Sequence, residues 1–285
     1  MASRTSPTVR RRRLAAELRR LRQGTGRTRE EVAEWVGCAP ATVTKIENGS
    51  AAARPADVSL LLELYGVTGA ARDELMTLAR EARRRGWWHE YADTFHPGFD
   101  VYVGLEEEAS SISVYRSETV GGLFQTEAYT RALFAAETPA VAERDVERHV
   151  AVRAKRQERL AAADAPSTCA VLNEAVLWRE VGGRDTMREQ LCHLVKVSRT
   201  PGTTVQVLPF AAGSHPGMHG AFTVLGFPEA GDRDMVYIEY RQGSLFLEKQ
   251  ADKDAYVRLF DHLRAKALGP EESRALITRV AGQMA

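Results

Sequence analysis

An all-α unit of five helices over residues 1–86, followed by an α+β domain with a mainly antiparallel sheet over residues 87–285, is the fold class the sequence predicts. Three observations carry that prediction. Apolar residues recur at helical spacing through the first part, short β-rich runs cluster from Thr168 onward, and the two parts have opposite charge. Through Gly86 there are 17 Lys and Arg against 10 Asp and Glu, and beyond it 22 against 28. A basic head on a larger acidic body is the charge pattern of a polyanion-binding unit joined to a separate partner or ligand domain, because Lys and Arg neutralise phosphate.

The first helix spans residues 8–23, where Leu14, Leu18 and Leu21 form one apolar stripe on a surface otherwise rich in Arg, and Gly24 and Gly26 stop it. Arg10 to Arg13, four cations in a row, read either as a solvated face or as a non-specific phosphate contact. Thr28 and Glu31 have capping-box spacing and open a second, short helix with Val32, Ala33 and Val36 inward, ended by Gly37. A third helix runs from Pro40 to Gly49, with Val43 and Ile46 inward and Ala41, Thr42, Thr44, Lys45 and Asn48 outward. ADVSLLLELYGV and ARDELMTLAREARRRG complete the five.

Two short helices joined by a tight glycine-containing turn, the second polar at its leading end, fit the major groove of double-stranded DNA. Leu18 through Gly49, with Arg22, Gly26, Thr28, Arg29, Val32, Ala33, Val43, Ile46, Glu47, Asn48 and Gly49 in register, resembles the helix-turn-helix of phage-repressor-like, xenobiotic-response-element regulators. In that register Arg22 pairs with Glu47 to lock the first helix to the third. The resemblance implies that Thr28, Arg29, Asn48 and Arg54 anchor phosphates and that Pro40, Ala41, Thr44 and Lys45 face base edges, with Thr42 reaching either. Two departures matter. Ala39 stands where Ser or Thr commonly caps the recognition helix, a loss worth about 1 kcal/mol that Pro40 partly offsets. Pro40 and Ala41 offer apolar readout only, which leaves polar discrimination to Thr44 and Lys45 and implies a homodimer on a two-fold symmetric site.

Beyond residue 86, Trp87, Trp88, Tyr91, Phe95, Phe99 and Tyr102 either pack the linker onto a core or form a stacking cage. LEEEASSISVY, residues 105–115, is read as a helix leading into the glycine-containing loop 117–126, and helices follow at about 126–136 and 141–163. Strands are expected at TCAVLN, TTVQVLPF, AFTVLGF, MVYIEY and SLFLEK, with helices at about 184–199, 252–267 and 270–283. Late strands joined by short loops imply antiparallel pairing.

The segments SETVGGLFQTEAYTRALF, NEAVLWREVGG, VQVLPFAAGSHPGMHGAFTVLGFP and YIEYRQGSLFLE resemble the C-terminal domain of unknown function in actinobacterial WhiJ-like, antitoxin-like regulators, with Gly121 in place of a frequent Pro and Asn173 in place of a common Asp. The resemblance implies a transcriptional regulator modulated by a small partner protein encoded nearby. A small-molecule ligand is the other candidate effector. The loops 118–126 and 213–220 are expected to border the sensing surface, with Glu118, Gln125, His215 and His219 as its contacts.

Other classes find little support. No stretch nears the roughly 20 apolar residues of a membrane span, and MASRTSPTVRRRR lacks the apolar core of a signal peptide, so a cytoplasmic protein without membrane contact is expected. Cys38, Cys169 and Cys192 are far apart and are expected to be reduced and buried. His215 and His219, with Cys192 and His193 elsewhere, are poor metal ligands in their Gly/Pro setting, and no GxSxG, phosphate-binding loop or dinucleotide fingerprint occurs. No cofactor, metal or catalysis is expected. The competing reading is a ligand-binding or enzymatic α+β domain for which the basic head is a non-specific DNA anchor.

Overall fold

A computed structural model describes residues 6–228 and 234–284. The chain divides into two compact units, Met1–His89 and Glu90–Ala285.

The described residues of the first unit form five α-helices: α1 (Pro7–Gly24), α2 (Arg29–Val36), α3 (Pro40–Glu47), α4 (Pro55–Leu64) and α5 (Gly69–Glu81). Their boundaries follow local chemistry. The Thr28 hydroxyl accepts from Glu31 N at 3.2 Å while Glu31 Oε2 accepts from Thr28 N at 2.9 Å, so the capping box is complete in both directions. Gly37 and Gly49 take φ of 73° and 69°, left-handed values that a Cβ disfavours. Each lets the next amide turn back onto its helix, Cys38 N to Ala33 O at 2.9 Å and Ser50 N to Lys45 O at 3.0 Å. Leu14, Leu18, Val32, Val43, Ile46, Val58, Leu61 and Leu62 close one core between these helices.

The second unit holds, among its described residues, a six-stranded mixed sheet. Its elements in chain order are α6 (Phe99–Glu108), β1 (Ser111–Arg116), α7 (Glu127–Ala135), α8 (Glu143–Glu158), β2 (Ser167–Asn173), α9 (Ala175–Trp178), α10 (Arg184–Val197), β3 (Thr203–Leu208), β4 (Phe222–Gly226), β5 (Met235–Tyr240), β6 (Gly243–Leu247), α11 (Gln250–Lys266) and α12 (Pro270–Gln283). The strand order is β3-β2-β1-β4-β5-β6. β4, β5 and β6 form an antiparallel meander and β4 runs antiparallel to β1, as short loops require. β1, β2 and β3 are parallel, each connected to the next by helices long enough to return the chain. The class is α+β with a mostly antiparallel sheet.

One expectation is corrected here. Residues 105–115 are not one helix: α6 stops at Glu108, and Ser111–Arg116 is a strand at the centre of the sheet. Ile112, Val114 and Tyr115 are all buried, so β1 is covered on both faces, and the Glu-rich run before it masked its Ser-Ile-Ser-Val alternation. Strands therefore do not all lie late in the chain. The cysteines are free, but Cys192 is exposed and Cys38 and Cys169 only half-buried, which corrects the expectation of buried thiols.

On one face of the sheet, Tyr115, Val171, Leu208, Phe222, Val224 and Val236 meet Phe260 and Leu263 of α11. The opposite face is mixed. Tyr237 of β5 stacks on Tyr102 of α6, ring centroids 4.1 Å apart, and Phe99 lies edge-on to Phe95, so these aromatics pack within the unit. Beside them Arg156 of α8 makes a two-pronged bond to Glu106 of α6, Nε to Oε1 at 2.6 Å and Nη2 to Oε2 at 2.8 Å, with both side chains buried. Tyr102 Oη donates to the same carboxylate at 2.6 Å. The outer edge of β3 is closed by the start of α12, where Val207 N donates to Ser273 Oγ and Val207 O accepts from Leu268 N, both at 2.9 Å.

Removing one member of a buried pair leaves the other charged without compensation, which typically costs about 3–5 kcal/mol. Arg156→Met is expected to lower the urea-unfolding free energy of the second unit by that amount, and Arg156→Met with Glu106→Leu to recover most of it. A single-variant loss under 1 kcal/mol contradicts the lock.

Candidate nucleic-acid interface

α3 turns by about 100° per residue, so burying Val43, Ile46 and Glu47 on one side sends Ala41, Lys45 and Asn48 to the other. All three are exposed, as is Pro40, while Thr42 and Thr44 are half-exposed on the flanks. The outward side contains one cation, Lys45, which among the described residues has no carboxylate within 4 Å. Thr44 Oγ1 donates to Pro40 O at 3.2 Å, leaving its lone pairs as acceptors. Ala39 supplies no side-chain cap and Pro40 stands in the first turn.

The inward side is fixed by charge. Glu47 is buried, with Arg22 of α1 bonded to both of its oxygens, Nε to Oε1 at 2.5 Å and Nη2 to Oε2 at 3.1 Å. Arg29 of α2 adds a third bond, Nε to Oε2 at 2.9 Å. One carboxylate thus joins three helices. Arg22 Nη1 also donates to Arg27 O at 2.8 Å, tying the turn before α2 to the same group. The guanidinium of Arg22 is held above its ordinary pKa by the hydrogen bond it donates to Glu47, and burial first, then Glu47, raise the Tyr65 phenol to about 12.

The remaining expected anchors are spread around this clamp. Thr28 is exposed at the start of α2, where its Oγ1 already accepts the capping bond and only its O–H is left to donate. Arg29 and Arg54 do not stand free as phosphate anchors: Arg29 shares Glu47, and Arg54 forks onto Asp57 at 2.9 and 2.8 Å, though its side chain is 71% exposed. The spacing of Arg54 and Asp57, three residues apart across a helix start, could have revealed that second pair. Arg29 gave no such local signal, because Glu47 lies 18 residues away.

In the second unit the four expected effector contacts separate. Glu118 is exposed and ion-paired with Arg179. Gln125 is corrected: it is buried and spent internally, with Nε2 donating to Val120 O at 2.6 Å and Oε1 accepting from Thr130 Oγ1 at 3.0 Å and Arg153 Nε at 2.8 Å. His215 is half-buried, its Nε2 3.5 Å from Asn173 Nδ2, with burial and then Lys266 depressing its pKa. His219 is exposed on the same short turn, Pro216–His219. Among the described residues no three His, Cys, Asp or Glu side chains gather as a metal site would require, and no helix is long and apolar enough to cross a membrane.

Residues 99–279 match the family model described as a domain of unknown function, DUF5753, over more than half of the chain. The chain belongs to that family. Residues 13–75, which contain α2, α3 and the Glu47 clamp, match a helix-turn-helix domain. That domain suggests a DNA-binding regulator. Comparison with curated proteins and with solved structures returns no match.

Glu47→Ala strands Arg22 and Arg29 without their counter-ion at a mostly buried position, and a loss of about 3 kcal/mol in the first unit is expected. Hydrogen exchange of the α3 amides reads it. Protection of those amides equal to that of the parent protein contradicts the clamp.

Proposed function

We propose that the protein is a sequence-specific transcriptional repressor that binds double-stranded DNA as a homodimer and whose C-terminal unit senses a small partner protein or ligand. The observation that supports the reading most is the pair of opposite sides on α3, one pinned inward by Glu47 and the other presenting Pro40, Ala41, Thr44 and Lys45 to solvent. A helix held this rigidly enters the major groove with its rotation already set, so side chains that reach base edges are not chosen by the encounter.

Roles follow from chemistry. Lys45 donates to acceptors such as the O6 and N7 of guanine, Thr44 accepts from base donors, and Ala41 and Pro40 meet a thymine methyl. Thr28, Arg29, Asn48 and Arg54 contact phosphates, the two arginines with the donors their carboxylates leave unused. A single α3 has too few polar readers for regulatory affinity, which supports a dimer on a two-fold site. The resemblance to WhiJ-like, antitoxin-like regulators supports the sensing role and a cytoplasmic place of action. Absence of a recognisable nucleophile or acid-base pair in the sequence favours a regulator over an enzyme.

Binding assays on operator and non-operator DNA across a salt series test the reading. Lys45→Ala is expected to cost about 1–3 kcal/mol on the operator alone, whereas Arg29→Ala weakens binding to every sequence and lowers the salt slope by about one. Uniform losses from both variants would reduce the head to a non-specific anchor and favour the competing reading.

A further inference from the structure

Arginines outnumber carboxylates on the α6 and α8 face of the sheet. Arg116, at the end of β1, shares that face with Val114 and, through the registers Val114↔Thr223 and Thr223↔Tyr237, with Thr223, Tyr237 and Glu239. From α8, Arg153 and Arg156 descend onto it, three residues apart on one side of the helix. All three guanidiniums meet one turn, Gly121 to Gln125. A Cβ on Gly121 would stand 3.3 Å from Arg116 Nε and one on Gly122 3.0 Å from Arg156 Nη1, so two guanidiniums lie against bare backbone. Arg153 Nε donates to Gln125 Oε1 at 2.8 Å, and its guanidinium lies over Phe134, 5.1 Å from the ring centre.

Only one of the three is paired in direct contact, and Glu239 acts on all three at longer range. Glu106 is committed to Arg156, and Glu239 to His96 Nε2 at 3.0 Å. Among the described residues, Arg116 and Arg153 have no carboxylate within 4 Å. Arg116 has only Thr223 Oγ1 at 3.5 Å, and Arg153 only amide and carbonyl oxygens. Both are half-buried and held in place by neutral neighbours. Desolvation, then Arg156, push Arg153 down to about 10, a shift that the more distant Glu239 offsets only in part. Three arginines against two glutamates leave an excess of one positive charge, and His96 adds a second when protonated.

We propose that Arg116 and Arg153, beside Arg156 and the Gly121–Gly122 turn, form a binding site for a phosphate group, either free or on a small phosphomonoester. A phosphate carrying about 1.5–2 negative charges near neutral pH matches that excess, and two guanidinium forks held at different angles suit a tetrahedral oxyanion better than a flat one. The site deepens the sensing role proposed above and rests on that role for its biological meaning, not for its existence.

The test is calorimetric titration of the full chain with inorganic phosphate at fixed ionic strength, alongside ribose 5-phosphate and a chloride control. Saturable binding of one phosphate per chain is expected, weakened about tenfold or more by Arg153→Gln or Arg116→Gln, less by Arg153→Lys, and unchanged by Arg144→Gln, a 79% exposed arginine on α8. Tighter binding of the ester assigns a small molecule, and tighter binding of the bare ion assigns free phosphate; both uphold the site. Amide shifts in the parent protein guard against variants that do not fold: they are expected at Gly121, Gly122 and Gln125. Shifts confined to residues 28–48, no saturable binding, or affinity indifferent to both glutamine variants overturns the proposal. Phosphate that binds here without altering operator affinity upholds the site and removes its sensing role.

Discussion

A single carboxylate sets the geometry of the DNA-facing unit. Glu47 is the last residue of α3, and its two oxygens take three hydrogen bonds from arginines on α1 and α2. In a low-dielectric setting an ion pair of that quality is worth keeping only if every lone pair is used, and here nearly all are. Moving α3 by one residue, or rotating it, would break all three bonds at once. The constraint acts on the buried side, but its functional effect is on the opposite one: helical periodicity carries the orientation of Glu47 over to Ala41, Lys45 and Asn48.

Much of this was legible in the sequence because it is local. Capping at Thr28 and Glu31, glycines at the ends of α2 and α3, and apolar residues three and four apart each act within one turn, where residue spacing maps directly onto space. The Arg22–Glu47 pair was legible only through resemblance, since 25 residues separate the two. The bond from Arg29 to Glu47 is not legible locally: an arginine at a helix start looks free until the fold brings a distant acid to it. Gln125 failed similarly. A polar residue in a glycine-containing loop reads as a surface contact, yet it is Thr130 and Arg153, both on helices that follow, that draw it inside.

The strand β1 shows the limit of pattern reading in the second unit. β1 keeps a short Ser-Ile-Ser-Val alternation, but the Glu-rich helical run that precedes it directly makes that stretch read as a continuation of the helix. The later strands β4, β5 and β6 are visible because each is short, rich in β-branched or aromatic residues and bounded by turns. Parallel pairing of β1, β2 and β3 follows only once β1 is placed, because the crossover helices between them then have two strands to connect.

Net charge misleads about the interior of the second unit. Its excess of Asp and Glu over Lys and Arg describes the unit as a whole, whereas the α6 and α8 face of its sheet contains Arg116, Arg153 and Arg156 against Glu106 and Glu239. A protein surface screens its acids with water and salt over roughly 10 Å, so a negative total does nothing to neutralise a half-buried guanidinium. Glu239 supplies part of the compensation at longer range, and the remaining excess is what an entering anion would neutralise. Phe134, Gln125 and the bare backbone at Gly121 and Gly122 hold the arginines without offering one, and Glu239 is already engaged by His96. An interior built this way is less stable empty than filled by an anion, and by linkage the anion then favours whichever state of the protein keeps the arginines in this arrangement.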